Sequence, residues 1–115
     1  MYNIKYNCSV PVLKKDQYIL YNIYLGSKKL NYIKYGTTNN PERRFKDLAR
    51  HYETDITVNF ISPPMTKYSA LRLEDNIRAD RIKKGWSHIP NDRFIKPARV
   101  KKDVIKIRKE YEFSF

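Results

Sequence analysis

Three residue types in one short stretch can handle a phosphate: Tyr24, Lys34 and Arg44. A phenol, an ammonium and a guanidinium can donate to phosphoryl oxygens or offset their charge. In an antiparallel hairpin Tyr24 and Lys34 can share one face. Gly36 lacks a side chain, so a ligand or helix can approach the backbone there. Further along, Glu74 falls beside Ala70, Leu71 and Ile77 on a helix. An acid in apolar surroundings needs a partner or a cation.

Each residue also has a plainer reading. A strand tyrosine alone is more often packing. A strand lysine alone is more often a solvated edge residue. Arg43 and Arg44 both suit a solvated helix face. The functional reading gains its weight from the set, in order.

The elements that must position the set are legible. Gln17 to Leu25 is rich in Tyr and Ile and reads as a strand. Tyr18, Leu20, Asn22 and Tyr24 point one way; Ile19, Tyr21, Ile23 and Leu25 point the other. Gly26-Ser27-Lys28-Lys29 reads as a turn. Asn31 to Thr37 is a second strand, with Tyr32, Lys34 and Gly36 on one face; the short connection implies a hairpin. Asn40, Pro41 and Glu42 mark a helix start. That helix runs to about Tyr52, with Phe45, Leu48, Ala49 and Tyr52 as its apolar stripe. A third strand spans Ile56 to Ile61. A second helix spans about Thr66 to Lys84, with Ala70, Leu73, Ile77 and Ile82 inward and Gly85 at its end.

Residues 1–16 read as an arm or edge strand, and Ser87 to Ile95 as irregular. A basic helix is expected over 97–111, with Val100, Val104, Ile107 and Tyr111 on one face. The expected fold class is α/β (α+β). It is a single domain over 1–115, with a small three-stranded antiparallel sheet flanked by helices in the order β-β-α-β-α-α.

Composition narrows the function. The 115 residues carry 24 Lys and Arg against 12 Asp and Glu, a net charge of +12. Such a field on a small domain attracts polyanions. Nucleic acid, DNA ahead of RNA, ranks above a membrane surface or a solubility device, because aromatics are interleaved with the cations and can stack on bases. Candidate nucleic-acid contacts are Arg43, Lys46, Arg50 and His51 on the first helix, and Lys101, Lys102 and Arg108 in the tail. Cys8 is the sole cysteine, so no internal disulfide or cysteine-based zinc site is expected. A reducing, cytoplasmic setting fits, the host's cytoplasm if the chain is viral. Neither a signal peptide nor a membrane span is read in the sequence.

The motifs resemble a known family. Asn22-Ile23-Tyr24, then Lys34-Tyr35-Gly36-Thr37-Thr38, then Asn40-Pro41-Glu42-Arg43-Arg44-Phe45 are similar to the GIY-YIG nuclease domain. The match is closest to its phage-type branch, in which a Lys-x-Gly motif precedes Asn-Pro-x-x-Arg. Ala70-Leu71-Arg72-Leu73-Glu74 resembles the later helix that carries a Glu. The resemblance covers roughly residues 18–95. It implies a metal-dependent endonuclease acting on DNA. Tyr24 would serve as general base or orient the water, and Lys34 would tune Tyr24 or hold the water or phosphate. Arg44 would neutralise phosphoryl charge. Glu74 would hold one divalent cation, Mg²⁺ or Mn²⁺. Two positions depart from the pattern: Asn22 stands where Gly is usual, and Leu48 stands where many relatives have His or Tyr. His51 lies two turns after Arg44, about 10 Å along the axis. The alternatives are a nucleic-acid-binding module of the same fold without cleavage, and a small phage-type protein that binds a host protein.

Overall fold

The strand Ile19–Leu25 (β2) has apolar residues at almost every position because both of its faces are covered. It pairs in antiparallel register with Tyr32–Thr38 (β3), which sets Tyr21 opposite Gly36, Ile23 opposite Lys34 and Tyr24 opposite Ile33. On its other side β2 pairs with Ile56–Ile61 (β4). The β2–β4 register shifts between Asn22 and Ile23, leaving Asn59 as the extra residue of a bulge. These facts come from a computed structural model that describes residues 1–26, 32–90 and 93–107.

Ile4–Tyr6 (β1) adds in parallel to β4, so the edge-strand reading of the N-terminal region holds. At the opposite side Arg93–Ile95 (β6) pairs with β3, and Ser87–Ile89 (β5) pairs with β6. The result is a mixed α+β fold on a six-stranded sheet of order β1-β4-β2-β3-β6-β5. The expected three strands are its centre. The segment expected to be irregular, Ser87 to Ile95, supplies the β5–β6 edge instead. The rest of the turn expected after Gly26 lies outside the described residues.

Helix Pro41–Tyr52 (α1) starts as the sequence indicates: the Asn40 side chain accepts from the Arg43 amide at 3.3 Å, and Pro41 and Glu42 occupy the first turn. Phe45, Leu48 and Ala49 pack on Ile19, Tyr21, Ile23, Leu25, Ile56 and Val58. Helix Lys67–Lys83 (α2) is capped by Thr66, which accepts from the Ser69 amide at 3.2 Å. Its Ala70, Leu73 and Ile77 pack on the other face, against Leu20, Ile33, Tyr35, Trp86 and Phe94. The sheet is thus the middle layer between two helices. Ile82, expected inward, is exposed, and its neighbour Arg81 is buried in its place.

The expected helix over 97–111 is not formed in its described part. Residues 100–107 run extended across the α2 side, with Val100, Ile105 and Ile107 half-buried against the core and Val104 exposed. Burial alternates from Asp103 to Ile107, a period of two rather than 3.6. Branched Val and Ile tolerate that conformation better than a helix. Arg108 and Tyr111 lie outside the described residues. Among the described residues no helix is long and apolar enough to cross a membrane.

Candidate active site on the α1 face of the sheet

Register decides which side chains meet. Lys34 is opposite Ile23 and Gly36 is opposite Tyr21, so Tyr21, Lys34 and Gly36 leave the sheet on the α1 side. Tyr24, opposite Ile33, leaves on the α2 side and packs against that cluster. The expectation that Tyr24 and Lys34 share a face is therefore not met. Burial, with the charge of Asp103 added to it, raises the Tyr24 phenol above its ordinary pKa.

The tyrosine that does meet the set is Tyr21. Its ring lies across Gly36: a Cβ there would fall 2.2 Å from the Tyr21 hydroxyl oxygen and 2.4 Å from Cζ. Gly36 is thus needed for space, and the aromatic ring covers the backbone a side chain would have shielded. Phe45 of α1 holds the ring edge-on at 5.3 Å between centroids. Arg44, one residue earlier on α1, donates its Nε–H to the Tyr21 hydroxyl at 3.4 Å. With a lone pair taken by Arg44, the phenolic O–H is left to point elsewhere.

The electrostatics follow from burial. Tyr21 is fully buried, which raises its pKa; the hydrogen bond and charge of Arg44 pull the other way without prevailing, and Glu74 adds to the rise. Glu74 itself stands on α2, which packs on the opposite face of the sheet, so its carboxylate reaches the phenol only as a charge acting from a distance. The Tyr21 hydrogen bond in turn raises the Arg44 guanidinium, against a smaller effect of burial. Tyr52, two turns after Arg44, acts electrostatically on both groups. Leu48 is buried in the α1 core.

Lys34 is 6% exposed. Glu74 has a side chain 13% exposed, with Arg78 at 3.9 Å. Among the described residues no three His, Cys, Asp or Glu side chains gather into a metal cage. A single carboxylate oxygen donor suits Mg²⁺, which takes most of its remaining ligands from water and phosphate, so Glu74 fits the expected cation.

Of the candidate nucleic-acid contacts, Arg43 lines a groove of about 510 Å³ at the start of α1, together with Arg44, Thr38, Asn39, Asn40 and Asp47. Lys46 and Arg50 are exposed further along α1, and Arg50 pairs with Asp47 at 2.8 Å. His51 is exposed, its ring edge-on to Tyr52 at 4.7 Å. Lys101 and Lys102 are exposed on the segment that crosses the opposite face, so they do not join this group.

Asn22 faces away from the group. Its Nδ2 donates to Asp103, and its Oδ1 accepts from Asn59 at 3.4 Å. It fastens the tail segment. Sequence reasoning missed Tyr21 as a site residue and took Tyr52 for packing alone. The signal for Tyr21 was the hairpin itself: whichever tyrosine falls opposite Gly36 has open space above the ladder.

Compared with protein-family models, curated proteins and solved structures, the chain matches none.

Proposed function

We propose that this chain is a metal-dependent endonuclease that hydrolyses phosphodiester bonds in DNA, working on the α1 face of its sheet. The observation that supports it best is the Tyr21 phenol laid over Gly36 and hydrogen-bonded by Arg44, with Lys34 on the same face. The arrangement parallels the GIY-YIG pattern, with Tyr21 rather than Tyr24 as the tyrosine of the first motif.

The roles follow from the chemistry. Arg44 and Lys34 offset the charge that grows on the phosphoryl oxygens, and burial strengthens the share of Lys34. Tyr21 keeps its proton at neutral pH, because its pKa is raised. It therefore orients the attacking water or donates to a phosphoryl oxygen there, and becomes a base only at high pH. Glu74 would hold Mg²⁺ or Mn²⁺, and that cation, when bound, neutralises charge at the leaving oxygen.

The test is cleavage of a DNA panel with Mg²⁺ or Mn²⁺. Wild type should nick or cut, and Glu74→Ala and Arg44→Ala should not. Robust cleavage by both variants would sink the assignment. The complete burial of Tyr21 also favours a second reading, a nucleic-acid-binding module without cleavage. Salt-sensitive binding with no cleavage across metals and substrates would select it.

A further inference from the structure

Arg93 is a cation of the α1 face that the proposed chemistry leaves unused. It sits opposite Lys34 in the β3–β6 ladder, so both side chains leave the sheet on the side of Tyr21 and Gly36. Cross-strand partners have Cβ atoms about 5 Å apart, so Arg93 extends the cationic surface of that face.

Arg93 is also held in place. Its guanidinium carbon lies 5.8 Å from the centre of the Tyr32 ring and 5.4 Å from that of Tyr52. Its Nε donates to the Pro90 carbonyl at 3.2 Å. Among the described residues no carboxylate pairs with it. One nitrogen is tied to the backbone, which leaves the two terminal nitrogens of the fork for a ligand. Tyr52 links this position to the catalytic group, since it also acts on Tyr21 and Arg44.

We propose that Arg93, with Tyr32 and Tyr52, forms a phosphate subsite that holds the nucleotide next to the scissile phosphate. The substrate is then a polynucleotide strand and not an isolated phosphodiester. What the strand is held for rests on the nuclease reading; that the strand is held does not.

The experiment compares wild type, Arg93→Gln and Arg93→Lys, with melting temperatures measured alongside. Each is assayed for binding a short single-stranded DNA at rising salt, for cleaving that strand, and for hydrolysing bis(4-nitrophenyl) phosphate. Arg93→Gln should bind the strand about tenfold more weakly at low salt, the loss of one charge-assisted contact. Its slope of log affinity against log salt should be shallower by about 0.7. Strand cleavage should fall in step, with hydrolysis of the small diester within about twofold of wild type, because only the strand reaches the subsite. Arg93→Lys should recover the slope.

An unchanged slope in Arg93→Gln overturns the proposal. So does an equal loss on strand and small diester, which would make Arg93 an organiser of the catalytic face. A wild type that cleaves neither substrate counts against the nuclease reading, and the salt slope still decides the role of Arg93.

Discussion

The two faces of the sheet are built from the same residue types and finish differently. On the α2 face, Arg81 donates to the Tyr35 hydroxyl at 3.1 Å, to Asp103 at 2.7 Å and to the Val104 carbonyl at 2.9 Å. Tyr35 donates to Asp103 at 2.5 Å, and Asn22 donates to the same carboxylate. The side chains of Arg81 and Asp103 are 7% and 3% exposed. On the α1 face, the side-chain hydrogen bond that Arg44 makes among the described residues is to Tyr21, at 3.4 Å, at the rim of an open groove. Both faces pair an arginine with a buried tyrosine. One adds a carboxylate and closes into a clamp. At the other, among the described residues, no carboxylate forms an ion pair with the Arg44 guanidinium, although Asp47 acts on it by charge from one turn away, and Glu74 stands on α2 with Arg78 at 3.9 Å. The same vocabulary closes a clamp where the charges cancel and, on the proposed reading, serves chemistry where they do not.

The contrast can be broken most forcefully at Arg44 and the two tyrosines. Arg44→Ala should lower cleavage by about 10²- to 10³-fold, the usual cost of removing a transition-state donor. Tyr21→Phe should lower it too, while Tyr24→Phe should stay within a few fold of wild type. Equal losses from the two tyrosine variants would erase the distinction between the faces.

On the closed face the expected effect is on stability. Asp103→Ala leaves Arg81 buried with Asp80, at 2.6 Å, as its remaining acidic partner among the described residues, and should cost on the order of 3 kcal/mol in urea unfolding. Turnover per folded molecule should hold. A loss under about 0.5 kcal/mol would mean that the tail is not clamped.

Gly36→Ala tests the open face from beneath. The added methyl collides with the buried Tyr21 ring, so a loss of about 1–3 kcal/mol is expected, together with loss of cleavage. A stable, active variant would show that the ring has room to move.

The smallest effect near neutral pH comes from the phenols. Burial, with Asp103 adding to it, raises Tyr35 strongly; burial also raises Tyr21. Above the ordinary tyrosine pKa of about 10 the unfolded chain loses protons that the folded chain keeps. Stability from these two groups should be level below that pH and decline above it. In cleavage, a rate that keeps climbing tenfold per unit past pH 9 would mark Tyr21 as the base. A plateau near neutrality would assign that step to another group.

The parts of the fold governed by local patterning were legible: the strands around Tyr21 and Lys34, the cap at Asn40, and the stripe from Phe45 to Tyr52. The rest was settled by long-range pairing. Arg93 to Ile95 is too short to announce itself and exists because β3 offers a ladder. Val100, Val104 and Ile107 fit a helical spacing, but Asp103 is drawn into a pocket built from residues 22, 35 and 81, and the segment runs straight. At the site, Lys34, Gly36 and Arg44 could be found by spacing. The choice between Tyr21 and Tyr24 depended on the register of the hairpin, which the composition of the strands does not encode.

The bond between Asn22 and Asp103 spans 81 positions of the chain. It has a consequence for the order in which the molecule assembles. The α1 face draws its core from residues no later than Ile61 and can consolidate while the chain is still emerging from the ribosome. The α2 face cannot close until residue 103 is available, so between those moments Tyr35 and Arg81 wait in a half-built layer. Contacts this distant are slow to form and leave apolar surface uncovered meanwhile. A nascent chain stalled after Ile95 should therefore hold a protected β2–β3–β4 sheet and α1, while its α2 face stays open to chaperones.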